Sequence, residues 1–167
     1  GCINVKSDLE FGTTFSFDLC LTISHKSKPK LDFVTEGYQN NDKMKGLHIL
    51  LAEDNQMNIL ILKQFLKKWE ITYDIAMNGQ AAFEKVQAGN FDMVLMDLQM
   101  PIMDGYKATQ SIRSLPDEKY KTMPILAITA SAFNEIRKKV LDAGMNDFVT
   151  KPINPEDLYL KIEKYIL

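Results

Sequence analysis

The chain has 167 residues, 46% hydrophobic and 25% charged, with a formal net charge of -2. That size fits one folded domain plus a smaller piece, and the composition excludes a disordered chain or a large multidomain enzyme. With no basic excess to follow a phosphate backbone and no apolar run near the ~20 residues a membrane helix needs, neither direct nucleic-acid binding nor membrane contact is expected of this segment.

Residues 1–45 are charge-balanced, so the net charge lies wholly in residues 46–167. In the first part, residues 3–6 and 14–22 read as strands. Phe15, Phe17, Leu19 and Leu21 alternate with Ser16, Asp18 and Cys20, the period of a strand with one apolar face. Gly12 falls in the turn. A lone hairpin is marginal in water, so residues 1–24 are expected to belong to a larger sheet, with a simple β-hairpin arm as the alternative. Residues 25–45 lose periodicity. His25-Lys26-Ser27-Lys28-Pro29-Lys30 and Tyr38-Gln39-Asn40-Asn41-Asp42-Lys43 are polar and rich in breakers, which suggests a linker.

From Gly46 the pattern becomes regular. Apolar runs at 48–52, 72–76, 93–96, 124–129 and 147–150 alternate with helix candidates at 56–68, 79–88, 106–113, 135–143 and 155–166. Ile61, Leu62, Phe65, Leu66 and Trp69 follow one helix face, as do Leu158, Ile162, Tyr165 and Ile166. Five strands alternating with five helices predict an α/β fold, a doubly wound five-stranded parallel sheet. Runs apolar at every position, such as Met93-Val94-Leu95-Met96, fit strands covered on both sides.

In such sheets ligands bind beyond the carboxyl ends of the strands. The first run is followed by Glu53-Asp54, the third by Asp97, the fourth ends at Thr129 and the fifth is followed by Lys151. Singly, each has an ordinary reading: an Asp after a strand is commonly a helix cap, Glu53-Asp54 favour the positive end of the next helix, and Lys151 is a surface charge. Together they place three carboxylates, a hydroxyl and an ammonium at one edge. Carboxylates so gathered call for a cation, and hard oxygen donors suit Mg²⁺. A metal there would neutralise a phosphoryl group, Thr129 and Lys151 would donate to its oxygens, and Asp97 would be the nucleophile.

These residues resemble the receiver domain of two-component response regulators, over about residues 46–167. The likeness rests on Leu50-Leu51-Ala52-Glu53-Asp54-Asn55, on Val94-Leu95-Met96-Asp97-Leu98-Gln99-Met100-Pro101-Ile102-Met103-Asp104-Gly105, on Ile128-Thr129-Ala130 and on Phe148-Val149-Thr150-Lys151-Pro152. It implies a flavodoxin-like fold in which Asp97 accepts phosphate from a phosphohistidine. It implies that Asp54, Asp97 and the backbone carbonyl of Gln99 bind Mg²⁺ (or Mn²⁺), with Glu53 acting through a metal-bound water. The family more often has Asp at that position. Thr129 and Lys151 would contact the phosphoryl group, Phe148 would be the aromatic switch, and the Lys151-Pro152 peptide would be cis. Gly105 would be the turn glycine of the loop after Asp97. Met96, Met100 and Met103 read as core packing, and His25 and His48 as structural.

Asp54-Asn55-Gln56-Met57-Asn58 is similar to the Asp-Asn-x-x-Asn version frequent in hybrid histidine kinases, and residues 3–7 and 12–19 resemble the closing strands of a kinase ATP-binding domain. Glu10 stands where that turn usually has its first glycine. The resemblance therefore implies residues 1–24 as a fragment of that domain, 25–45 as linker and 46–167 as receiver. It implies a histidine kinase domain of the same parent chain and a histidine phosphotransfer protein as partners. ATP-dependent histidine kinase activity would belong to the parent, and this segment would be a phosphoacceptor. The alternative is a receiver used as a phosphorylation-independent interaction module. A phosphatase of the haloacid-dehalogenase type is disfavoured, because Asp97-Leu98-Gln99 lacks a second Asp. Two cysteines, Cys2 and Cys20, cannot form a disulfide framework, and Gly1-Cys2-Ile3-Asn4-Val5 does not read as a signal peptide. A cytoplasmic location is expected, whether or not the parent is anchored in a membrane.

Overall fold

The computed structural model describes residues 2–8, 12–18, 44–131 and 134–166. The chain divides into two compact units, Gly1–Gln39 and Asn40–Leu167. The expected strand residues 19–22 and most of the expected linker lie outside the described residues.

The first unit contains an antiparallel hairpin, β1 (Ile3–Asp8) and β2 (Gly12–Phe17). Gly12 opens β2 rather than lying in the turn, with a left-handed φ of 89°. Ile3 pairs with Phe17 and Val5 with Phe15, so these four apolar side chains share one face, and all are exposed.

The second unit runs β3 (His48–Ala52), α1 (Gln56–Lys68), β4 (Thr72–Ala76), α2 (Gly79–Ala88), β5 (Met93–Asp97), α3 (Gly105–Arg113), α4 (Glu118–Thr122), β6 (Ile125–Thr129), α5 (Asn134–Asp142), β7 (Asp147–Thr150) and α6 (Pro155–Ile166). Its five strands form one parallel sheet in the order β4-β3-β5-β6-β7. The strands and the five expected helices agree with the sequence pattern to within a residue. The addition is α4, a five-residue turn with no buried residue, which gives hydrophobic periodicity nothing to detect.

The apolar strands are sandwiched as their composition requires. Leu50, Ala52, Val94, Met96, Ile125 and Ala127 form one cluster with Ala82 and Val86 of α2, Ala108 and Ile112 of α3, and Val140 of α5. The alternate residues Ile49, Leu51, Met93, Leu95, Leu126 and Ile128 are equally buried and point to the other side. There α1 and α6 supply buried Leu62, Leu66, Leu158 and Ile162. Trp69, which ends α1, stacks on Phe65 at 5.9 Å and meets Tyr159 of α6 edge-on at 5.3 Å. Local capping fixes where the helices begin. The Asn55 side chain accepts from the Met57 and Asn58 backbone N–H groups at the start of α1, and Asp104 accepts from the Lys107 N–H at the start of α3.

Candidate functional site

Strand register brings the predicted residues to one edge. Ala52 pairs with Met96, Asp97 with Ile128 and Thr129 with Thr150, so β3, β5, β6 and β7 end nearly level. Glu53 is fully buried, Asp97 and Thr129 are each 4% exposed, and Asp54 is half-buried. One oxygen from each of Glu53, Asp54 and Asp97 lies within 4.8 Å of the others.

Lys151 bridges this group. Its Nζ donates to Asp97 Oδ2 at 2.6 Å and lies 2.9 Å from Glu53 Oε2. The other Asp97 oxygen, Oδ1, accepts the Gln99 backbone N–H at 3.1 Å. Glu53 Oε1 accepts from the Asn55 N–H at 3.1 Å and from the Asn58 amide at 3.0 Å. The Lys151 N–H donates to the Thr129 carbonyl at 2.7 Å, and the peptide between Lys151 and Pro152 is cis. The Thr129 hydroxyl is engaged with Ser131, 3.2 Å from both its N–H and its carbonyl oxygen.

The electrostatics follow from burial. Desolvation pushes Glu53 up, and the neighbouring Asp97 charge adds to this, against the lowering effect of the Asn58 amide and Lys151. For Lys151, burial alone would lower the ammonium. Its contacts with Asp97 and Glu53 outweigh burial and hold it above its ordinary value.

Phe148 is half-buried against the core. Lys161 Nζ donates to its carbonyl at 2.6 Å and sits 5.3 Å from its ring centre. Met96 is core, while Met100 and Met103 are partly buried beside it. His48 stands at the opposite end of β3, its ring tilted against Phe91 with centroids 4.8 Å apart.

Gly105 has a different reason from the one expected. Its φ is not left-handed; instead a Cβ there would collide with the Asp97 carbonyl oxygen, so glycine lets α3 start against the strand that carries Asp97. In the loop between β5 and α3 the left-handed residue is Ile102, with φ 69° and 84% exposure, where the Met103 N–H closes back on the Pro101 carbonyl at 2.7 Å. Nothing in a β-branched residue signals that conformation. Arg113 also escaped the sequence reading. It donates to the backbone carbonyls of Gly144 and Tyr120 and to the Asn146 side chain, tying α3 to α4 and to the turn before β7. Its partners carry no charge pattern that a sequence would reveal.

The donor set fits a hard divalent cation. Three carboxylates converge, and among the described residues the buried Glu53 Oε2 receives no well-formed hydrogen bond. Residues 49–163 match the family model described as "Response regulator receiver domain". The chain belongs to this family. Among curated proteins, the receiver is 41% identical over 125 residues to "Hybrid signal transduction histidine kinase B" of Dictyostelium discoideum, covering 70% of this chain and 6% of that one. The chain as a whole is 35% identical over 160 residues to the "Autoinducer 2 sensor kinase/phosphatase LuxQ" of Vibrio vulnificus, covering 95% of this chain and 18% of that one. The chain thus spans a small part of these relatives. Among solved structures, the receiver superposes with TM-score 0.67 and 34% identity on the receiver domain of sensor histidine kinase PA1611 from Pseudomonas aeruginosa, which has magnesium coordinated in its active-site cleft. That match covers 72% of this chain and 98% of that one. A second match is to the Saccharomyces cerevisiae co-crystal structure of the histidine phosphotransfer protein Ypd1 with the receiver domain of Ssk1, at TM-score 0.66 and 34% identity. It covers 73% of this chain and 90% of that one. Among the described residues no helix is long and apolar enough to cross a membrane.

Proposed function

We propose that this receiver accepts a phosphoryl group from a phosphohistidine onto Asp97 and relays phosphate or signal to a histidine phosphotransfer protein. The observation that carries the reading is the placement of Asp97, a buried carboxylate whose two oxygens are held by Lys151 Nζ and the Gln99 N–H. An Asp97 oxygen attacks phosphorus, the P–N bond breaks, and its electron pair leaves on the imidazole nitrogen. The Lys151 ammonium, already 2.6 Å from Asp97, is placed to move onto a phosphoryl oxygen as the carboxylate is esterified. Thr129 would turn its hydroxyl from Ser131 to another phosphoryl oxygen, and Phe148 would follow it inward. Asp54, Asp97 and the Gln99 carbonyl would hold Mg²⁺ (or Mn²⁺), with Glu53 reaching it through water. When bound, that ion supplies charge neutralisation for the transferred group.

The partner reading draws on the phosphotransfer complex of the Ssk1 receiver and on exposed Met57, Leu60 and Ile61 on α1, the helix that begins beside Glu53 and Asp54. Kinase origin draws on the hybrid kinase relative and on the LuxQ match, which extends over nearly the whole chain although the family model begins at residue 49. On this reading residues 1–24 close a kinase ATP-binding domain, 25–45 link, and 46–167 receive, in the cytoplasm. The exposed apolar face of the hairpin supports a covering neighbour in the parent protein.

The test is labelling with acetyl phosphate and Mg²⁺, read by intact mass. One phosphoryl adduct is expected on the wild-type chain and none on Asp97→Asn. Unchanged labelling of the variant would overturn the assignment. Equal partner binding with and without beryllofluoride would favour the phosphorylation-independent module instead.

A further inference from the structure

Glu53 is one methylene longer than an aspartate, and the structure shows where the extra length goes. Its Oε1 turns back to the first turn of α1 and accepts two hydrogen bonds there, from the Asn55 N–H and the Asn58 side-chain amide. Oε2 faces the site, 2.9 Å from Lys151 Nζ. A buried glutamate without those donors could rotate about its last bonds and turn either oxygen, or neither, to the site. Two donors on one oxygen remove that freedom, because rotation would break both bonds at once.

The donors are not equivalent. The Asn55 side chain is spent on capping α1, and its contribution to Glu53 is a backbone N–H that every residue except proline supplies. Asn58 contributes its side-chain amide, so its identity matters.

We propose that Asn58 is a positioning residue that aims the second oxygen of Glu53 into the site and so sets the affinity for the divalent cation. This rests on reading Glu53, Asp54 and Asp97 as the metal site. The device belongs to the pair. An aspartate at position 53 would end about 1.5 Å short of its present reach, leaving Asn58 nothing to hold. Asn58 also stands in the first turn of α1, where alanine is a favourable replacement, so a truncated side chain leaves the helix intact.

The experiment titrates Mg²⁺ by calorimetry into the metal-free full chain, comparing wild type, Asn58→Ala, Glu53→Asp and the double variant, with far-UV circular dichroism as a check on folding. Asn58→Ala should raise Kd for Mg²⁺ roughly tenfold, the usual scale for loss of a residue that orients a ligand. On the Glu53→Asp background the same truncation should leave Kd unchanged. An unchanged Kd in Asn58→Ala alone would overturn the inference. So would an equal loss on both backgrounds, since Asn58 would then act through the helix rather than through Glu53. A wild-type chain that takes up no Mg²⁺ would overturn the metal reading itself, and this inference with it.

Discussion

Lys151 Nζ lies 2.6 Å from Asp97 Oδ2 and 2.9 Å from Glu53 Oε2, so one ammonium is paired with two buried carboxylates at once. Lys151 is their counter-ion within the chain. Removing one partner of a buried pair costs about 3–5 kcal/mol, and the partial exposure of the Lys151 side chain reduces the expectation to about 1–3 kcal/mol. Lys151→Ala should lower the urea midpoint without Mg²⁺, and added Mg²⁺ should raise it further than in wild type. An equal or smaller Mg²⁺ response would show that Lys151 and the cation do not share these charges.

Gly105 lies directly against the Asp97 carbonyl oxygen. Gly105→Ala forces α3 and the end of β5 apart, and overpacking of this kind costs about 1–3 kcal/mol. Because β5 carries Asp97, the proposed acceptor, acetyl phosphate labelling should slow as well. A variant of wild-type stability and labelling rate would refute the tight approach.

Thr109 is fully buried in α3, and its hydroxyl oxygen has no hydrogen-bond partner among the described residues. Thr109→Val keeps the shape and removes the unpaired polar atom. The transfer gain, less a small loss of helix propensity, predicts stabilisation of about 1 kcal/mol by urea unfolding. A loss of stability would mean that the hydroxyl is satisfied in solution.

Asp147 gives a pH prediction. Burial by itself would raise its carboxyl. The Phe148 N–H and the Lys164 and Lys161 ammoniums outweigh burial and hold it below its ordinary value of 3.8. A depressed carboxylate contributes stability that is present above the unfolded value and lost as pH falls through the folded one. Asp147→Asn should therefore trail wild type in thermal midpoint at neutral pH, and the gap should close below 3.8. A gap independent of pH would point to packing rather than charge.

The sheet and its site were legible because both are written in local runs. Each central strand is apolar at consecutive positions and is followed at once by its polar residues, so finding the strand also places the chemistry. What escaped depends on contacts between distant segments. Arg113 reads as an ordinary charge until the Gly144 and Tyr120 carbonyls are placed around it. Gly105 reads as a turn glycine until α3 is seated on Asp97. Asn58 was visible within the Asp-Asn-x-x-Asn spacing, yet its hold on Glu53 required the geometry of the first turn of α1.

Trp69 is the chain's single tryptophan, wedged between Phe65 and Tyr159. It ends a 13-residue helix whose other end borders the acidic edge, roughly 20 Å away along the axis. Its emission should therefore report whether α1 and α6 remain docked while staying blind to what occupies the carboxylates. That makes the molecule its own control: intrinsic fluorescence follows unfolding with the site empty or filled, and a difference between the two curves reads as a difference in stability rather than as a change in the probe.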